Sequence, residues 1–328
     1  MYKKQKPFVF AGVSDVTECT TVKEVLNKAS LNFKVDVGPV ALNLNTETVN
    51  VPGYYSTYRT DTNEPLGVVK GRYTPVQNID MFDFLDECAK DKVIEFDTAG
   101  CLDRGNKCFI AARVPQLTIV GADDAVENYI VLFNSHDGTS GFKIMYTPVR
   151  MVCFNKLNSA IRNSEEYFTF KHTKNITDKM RYAKELIRMS IQKIQDSEVI
   201  FDRMFNVKIK DSQVEELFSK IVLTEEEIKN VKETGHTLKE VIDKNYMAIT
   251  DAEISTRKAN MLYQINEYYN IGLGQSKIQG TVWGAYNAVS GYCCNCTNIE
   301  GEKRMNSLMF GESSNKIREA YKECLELI

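Results

Sequence analysis

Three observations predict an α+β fold: a curved antiparallel β-meander with packed helices, followed by a mainly helical C-terminal subdomain. Between residues 49 and 153, runs of apolar, β-branched and aromatic residues recur, each bounded by Gly, Asp, Asn or Pro. From Thr177 onward the hydrophobic period becomes helical. The order along the chain is helix, meander, helix, which a sheet with helices on one face satisfies. The expected division is a β-rich domain over 1–176 and a helical subdomain over 177–328.

Taken in order, Thr21 to Ala29 reads as a short helix. Alternation over Val49 to Tyr58 and Leu66 to Val76, joined by Asp61-Thr62-Asn63-Glu64-Pro65, predicts a hairpin. Asn78 or Asp80 caps a helix whose apolar face is Met81, Phe82, Phe84, Leu85 and Cys88. Strands are expected at Val93 to Thr98, Lys107 to Val114, Asn128 to Asn134 and Gly141 to Cys153, the last preceded by the Asp137-Gly138 turn and broken by Pro148. Asn155 then begins a helical pattern with Leu157, Ala160 and Ile161 on one side. Further on, Met180, Ala183, Ile187, Ile191 and Ile194 form a stripe. Thr224 with Glu227 makes a capping box, and Ile254, Leu262 and Ile265 continue to a stop at Gly272. No repeat and no low-complexity segment interrupts this order.

Hydrophobic residues at 43% and charged residues at 26% describe an ordinary soluble protein. The start MYKKQKPFVF lacks an apolar segment of signal-peptide length, and no run approaches 18 apolar residues. A cytoplasmic location is therefore expected, with no membrane contact and with the nine cysteines as reduced thiols. The net charge of -3 conceals an asymmetry. Lys143 to Arg188 holds ten Lys or Arg against four Asp or Glu, whereas Asp211 to Thr256 holds five against eleven. A polyanion could meet the first stretch without repulsion from the second, because salt limits surface charges to a reach of roughly 10 Å. Two solvated helix faces would give the same count.

Enzyme chemistry finds little support. Cys293, Cys294 and Cys296 cluster, but closed zinc sites need four ligands, usually as two spaced pairs, and no second such pair exists. No bound metal and no cofactor are expected. Cys153 with His136 or His172 could form a nucleophile and base, although a buried free cysteine is the commoner fate of such a residue. His136-Asp137 and Asp123-Asp124 could hold a cation, yet a carboxylate beside glycine is first a turn residue. Gly272-Leu273-Gly274-Gln275-Ser276-Lys277 lacks phosphate-loop spacing and reads as a helix cap and linker. Trp283, the single tryptophan, sits in a helix with Tyr286, where aromatics belong to a core.

The segment around residues 143 to 174 differs in kind, because cations come interleaved with aromatics. Lys143, Tyr146, Arg150, Lys156, Arg162, Lys171, His172 and Lys174 are the expected nucleic-acid-binding residues: cations track a backbone while rings stack bases. Arg150 is expected to project at the sheet edge beside a helix start from Asn155, where unpaired N–H groups favour phosphate. Replacing Arg150 and Lys156 is then expected to weaken strand binding at little cost in stability.

Five blocks in order, GRYTPVQN at 71 to 78, AGCLDRGNKCFIAARVP at 99 to 115, NSHDGTSGFKIMYTPVRMVCFNKL at 134 to 157, FKHTKN at 170 to 175 and TVWGAYNAVSGY at 281 to 292, resemble the phage/plasmid-like family carried as domain of unknown function 932. The resemblance spans roughly residues 40 to 325. It implies a mobile-element origin, with the cytoplasm of a bacterial host cell as the location, and brings no activity with it. Asn155-Lys156-Leu157 and the cysteine cluster depart from the family's pattern. The order of elements is also that of ring-forming single-strand annealing proteins, an analogy of fold alone. The expected function is non-enzymatic binding of single-stranded nucleic acid, in annealing or in protection during replication or recombination, by a homo-oligomer. The alternatives are a host-interaction or anti-defence protein acting on a host protein partner, and an enzyme built from His136, Asp137, Cys153 and His172.

Overall fold

The computed structural model describes residues 8–10, 12–152, 155–156, 167–170 and 182–328. After β1 (Val13–Asp15), helix α1 (Val22–Lys28) forms where expected, and its start is a capping box in which Thr21 Oγ1 accepts the Glu24 N–H at 3.3 Å. A first sheet of three strands follows: β2 (Val35–Asn43), β3 (Thr48–Arg59) and β4 (Pro65–Lys70), in that order. The predicted hairpin is β3–β4, and β4 stops at Lys70 rather than Val76. Strand β2 was not anticipated. It contains Gly38 and Pro39, which an edge strand tolerates because its outer N–H groups have no ladder to serve.

The one helix expected here is two, α2 (Asn78–Phe82) and α3 (Leu85–Lys90), which bury Met81, Phe82, Leu85 and Cys88 of the predicted apolar face, while Phe84 between them is partly buried. The main sheet then runs through β5 (Glu95–Leu102), β6 (Lys107–Val120), β7 (Asp124–Ser135) and β8 (Phe142–Arg150), with β9 (Asn155–Lys156) and β10 (Tyr167–Phe170) both paired to β8 and β1 at the far edge. Among the described residues it has seven strands, and every pairing is antiparallel.

Two expectations about this sheet are corrected. Asn155 does not start a helix: Asn155 and Lys156 return antiparallel along Arg150 and Val149. Nor does Pro148 end its strand. On the side away from β7, β10 pairs with Phe142 to Met145 and β9 with Val149 and Arg150, so Pro148 falls between them, where a missing N–H disturbs least.

The sheet is covered on both faces, not one. Cys108, Ile110, Ala112, Ile130, Leu132 and Ile144 meet α1 to α3 and the first half of helix α4 (Ala183–Asn206) through Ile187 and Ile194. The opposite face, with Phe109, Val131, Phe133 and Met145, packs against Phe8, Met305 and Met309. Burial on both faces explains why residues 108–112 and 129–133 are apolar without alternation.

The C-terminal helices are α5 (Asp211–Val222), α6 (Glu225–Glu233), α7 (Leu238–Ile242), α8 (Tyr246–Asp251), α9 (Thr256–Ile271), α10 (Val282–Asn295), α11 (Gly301–Phe310) and α12 (Glu312–Glu326). Thr224 and Glu227 make the predicted capping box, and Gly272 ends α9 as expected. Helix α10 is buried on every side and forms the axis of this half. The two halves share α4, whose Phe201 and Met204 belong to the helical core, and α11, whose Met305 and Met309 belong to the sheet. Among the described residues, no helix is long and apolar enough to cross a membrane.

Candidate nucleic-acid interface

Arg150 is the last residue of β8, and register turns it inward. Its side chain is 2% exposed. The Nε group donates to both carboxylate oxygens of Asp124 at 2.8 and 2.7 Å, and Nη2 donates to the Gly274 carbonyl at 2.8 Å. Asp124 also accepts from Trp283 Nε1 at 2.7 Å. One buried carboxylate thus ties the end of β8, the start of β7 and helix α10 together. The Gly272-Leu273-Gly274 turn holds no phosphate pattern; it supplies the carbonyl that Arg150 needs. A Cβ on Gly274, whose φ is +72°, would meet Val152 Cγ1 at 2.5 Å.

Tyr146 is turned inward as well, and its hydroxyl donates to Asn128 Oδ1 at 2.7 Å. Arg150 and Tyr146 therefore lie in the interior and not on the expected binding surface. Lys156 sits at the Arg150 end of β8, across from Val149. Arg162, Lys171, His172, Lys174 and Cys153 lie outside the described residues.

Lys143, at the opposite end of β8, is half-buried, and its Nζ stands 4.6 Å from the centre of the Phe310 ring. Burial and then the neighbouring Lys107 lower its pKa below the ordinary lysine range, while Asp137 opposes them. Lys107 Nζ is 3.6 Å from Asp137. Two cations thus face one carboxylate at the rim where β6 begins and β7 ends. Phe170 pairs with Phe142 and Thr169 with Lys143, so β10 ends at this same end of β8. Sequence reasoning missed Lys107 and Phe310. Lys107 opens an apolar strand and carries no motif, and only the register Lys107↔Ser135 and Phe133↔Lys143 brings the two lysines together.

The turn between β7 and β8 is built by its own side chains. Asp137 Oδ1 accepts from Ser135 Oγ at 2.6 Å, from Thr139 Oγ1 at 2.7 Å and from the Thr139 N–H at 2.9 Å. Burial raises the Asp137 pKa, but these bonds together with Lys107 outweigh it and hold the carboxyl below its usual range. His136 is buried: its N–H donates to Asn106 O at 2.7 Å, its carbonyl accepts from Thr57 Oγ1 at 2.7 Å, and its Nε2 lies 3.0 Å from Asn78 Oδ1. The pair His136-Asp137 is thereby committed to holding the turn against β3 and α2.

Among the described residues, no group of three or more His, Cys, Asp or Glu could hold a metal ion. Asp124 is paired with Arg150, and Asp123 with Lys277. Burial raises the Cys293 thiol pKa and pushes Cys296 up to about 12, so neither is a thiolate near neutral pH. Alkylation of the native protein at pH 7.5, mapped by peptide mass spectrometry, should leave both unmodified while denaturant exposes them. Rapid native labelling of Cys296 would contradict this. A cleft of about 630 Å³ opens beside them between α9, α10 and α12, and its cations Arg257 and Lys316 are both paired with Glu312.

No curated protein and no solved structure matches this chain. One family model does, described as Domain of unknown function (DUF932), over residues 65–316. That span takes in the meander, the lysine rim, the Asp124–Arg150–Trp283 junction and all but the last helical turns, and the chain belongs to this family.

Proposed function

We propose that this protein binds single-stranded nucleic acid without catalysing a reaction, at the sheet end made by Lys107, Lys143 and Phe310 and continued in sequence by Lys171, His172 and Lys174. The supporting observation is the half-buried lysine pair beside an aromatic ring, with two cations against one carboxylate. A phosphate held there meets both ammonium groups where solvent is partly excluded, and rings beside cations serve sequence-tolerant binding. Strand annealing or protection in the cytoplasm, for a phage or plasmid, is the role that fits this chemistry and the resemblance noted above.

Titration of a labelled single-stranded oligonucleotide at several salt concentrations tests the proposal. With four phosphate contacts, from Lys107, Lys143, Lys171 and Lys174, log affinity should fall against log salt with a slope of about -3. Lys107→Ala with Lys143→Ala should weaken binding about tenfold, or about 1.4 kcal/mol, and flatten the slope by about 1.4. Affinity should also decline as pH rises through the depressed pKa of Lys143, since the ammonium form is the one that binds. Lys229→Ala, on the acidic helical half, should change nothing. Equal affinity in the double variant, or salt-independent binding, would refute the assignment.

A second reading, docking of a basic host protein in an anti-defence role, is favoured by Tyr246 and Met247, which are exposed within the acidic stretch of α5 to α8. The same titration separates the two, because that stretch carries an excess of carboxylates.

A further inference from the structure

Beyond Pro39 the β2–β3 hairpin runs past the end of β4 as a two-stranded ribbon. The ladder slips between Pro39↔Tyr55 and Ala41↔Asn50, leaving Val51 to Tyr54 as a bulge, and β4 pairs only with Tyr54 to Tyr58. Of residues 41–55, all except Val51 are exposed. A hairpin of two strands is at best marginally stable in water without something to pack on.

The ribbon is nevertheless two-faced. Leu42 pairs with Val49 on one side, and alternation puts Leu44 there too; Ala41↔Asn50 and Asn43↔Thr48 occupy the other. Leu42 is 57% exposed, Leu44 54% and Val49 41%, so nothing among the described residues covers the apolar side. Between Val37 and Tyr58 the single ionisable side chain that is charged at neutral pH is Glu47, at the tip.

We propose that this arm is an assembly element whose apolar face packs against the same face of a second copy of the chain. Charge selects the occupant. A nucleic acid needs cations, and the arm has none; an anionic membrane surface needs Lys or Arg on the inserting element, and the tip offers Glu47, with the exposed Tyr54 and Tyr55 at the base of the arm and not at its tip. An uncharged stripe of Leu and Val has the composition of an interface core, and meeting its own copy brings no like charges together except at the two tips. Such a contact is isologous, each Leu42 and Val49 facing its equivalents. Pro39 interrupts edge-to-edge strand addition over the middle of β2, and face-to-face packing is the geometry that covers the apolar stripe. The inference does not depend on the nucleic-acid reading, since the lysine rim lies on the other sheet.

Sedimentation velocity on the full chain tests it. The wild type should sediment as a dimer or larger assembly at micromolar concentrations, and Leu42→Asp with Val49→Asp should sediment as a monomer with an unchanged circular dichroism spectrum and unfolding midpoint. Asn43→Asp with Asn50→Asp, on the opposite face, should remain assembled. A wild type that stays monomeric up to about 100 µM, where a standard-sized interface would be populated, overturns the proposal. So does a Leu42→Asp, Val49→Asp variant that assembles like the wild type, or a wild type that floats with anionic phosphatidylserine vesicles and is otherwise monomeric.

Discussion

Arg150→Ala will lower the free energy of unfolding by about 3–5 kcal/mol, because it leaves the Asp124 carboxylate buried after removing the charge that compensates it. The loss is larger than any surface cation produces, since exposed pairs contribute about 0–1 kcal/mol. Arg150→Lys will recover little: an ammonium is a point donor and cannot reach both Asp124 oxygens and the Gly274 carbonyl together. Arg150→Met combined with Asp124→Leu should be more stable than either single variant, because no charge is left buried. Guanidinium unfolding followed by circular dichroism measures all five. An Arg150→Ala variant within about 0.5 kcal/mol of wild type would mean that the junction is not structural. The expectation from sequence, that Arg150 could be removed at little cost, is reversed by its burial.

Trp283→Ala should cost about 3–5 kcal/mol as well, from a cavity at the axis of the helical core beside Phe201, whose ring centre is 4.8 Å away, and Tyr286. Trp283→Phe isolates the polar part. It keeps most of the packing and deletes the Nε1 donor to Asp124, which a bond to a charged group values at about 1.5–3 kcal/mol. Because Trp283 is the single tryptophan, wild-type unfolding can be followed by fluorescence and the variants by circular dichroism. Arg150→Ala and Trp283→Phe share Asp124, so their costs should not add. If Trp283→Phe matches wild type, the indole is packing alone.

Local chemistry carried much of the fold. Thr21 with Glu24, Thr224 with Glu227, the Asp61 to Pro65 turn and Gly272 each act within a few residues, and each element begins or ends where those residues direct. The elements that escaped notice depend on distant partners. Strand β2 is an edge that exists by pairing with β3, and β9 exists by folding back on β8, so Asn155 and Lys156 extend the sheet instead of opening a helix. The absence of alternation over 108–112 and 129–133 was a legible signal that the sheet is covered on both faces.

For the site, the sequence by itself determined composition: a basic central stretch, an acidic helical one, a self-built Asp137 turn and a cluster of three thiols. It could not determine which cations meet solvent. Residue type is nearly silent on that question when a strand is buried on both faces, because an arginine with a carboxylate partner 26 positions earlier in the chain looks the same as one awaiting phosphate. Tertiary structure alone sent Arg150 and Tyr146 inward, brought Lys107 beside Lys143 and left Leu42 and Val49 exposed among the described residues. The reason is physical: capping and turn formation are decided by neighbours in sequence, whereas exposure is decided by register between strands and by which helices arrive to cover them.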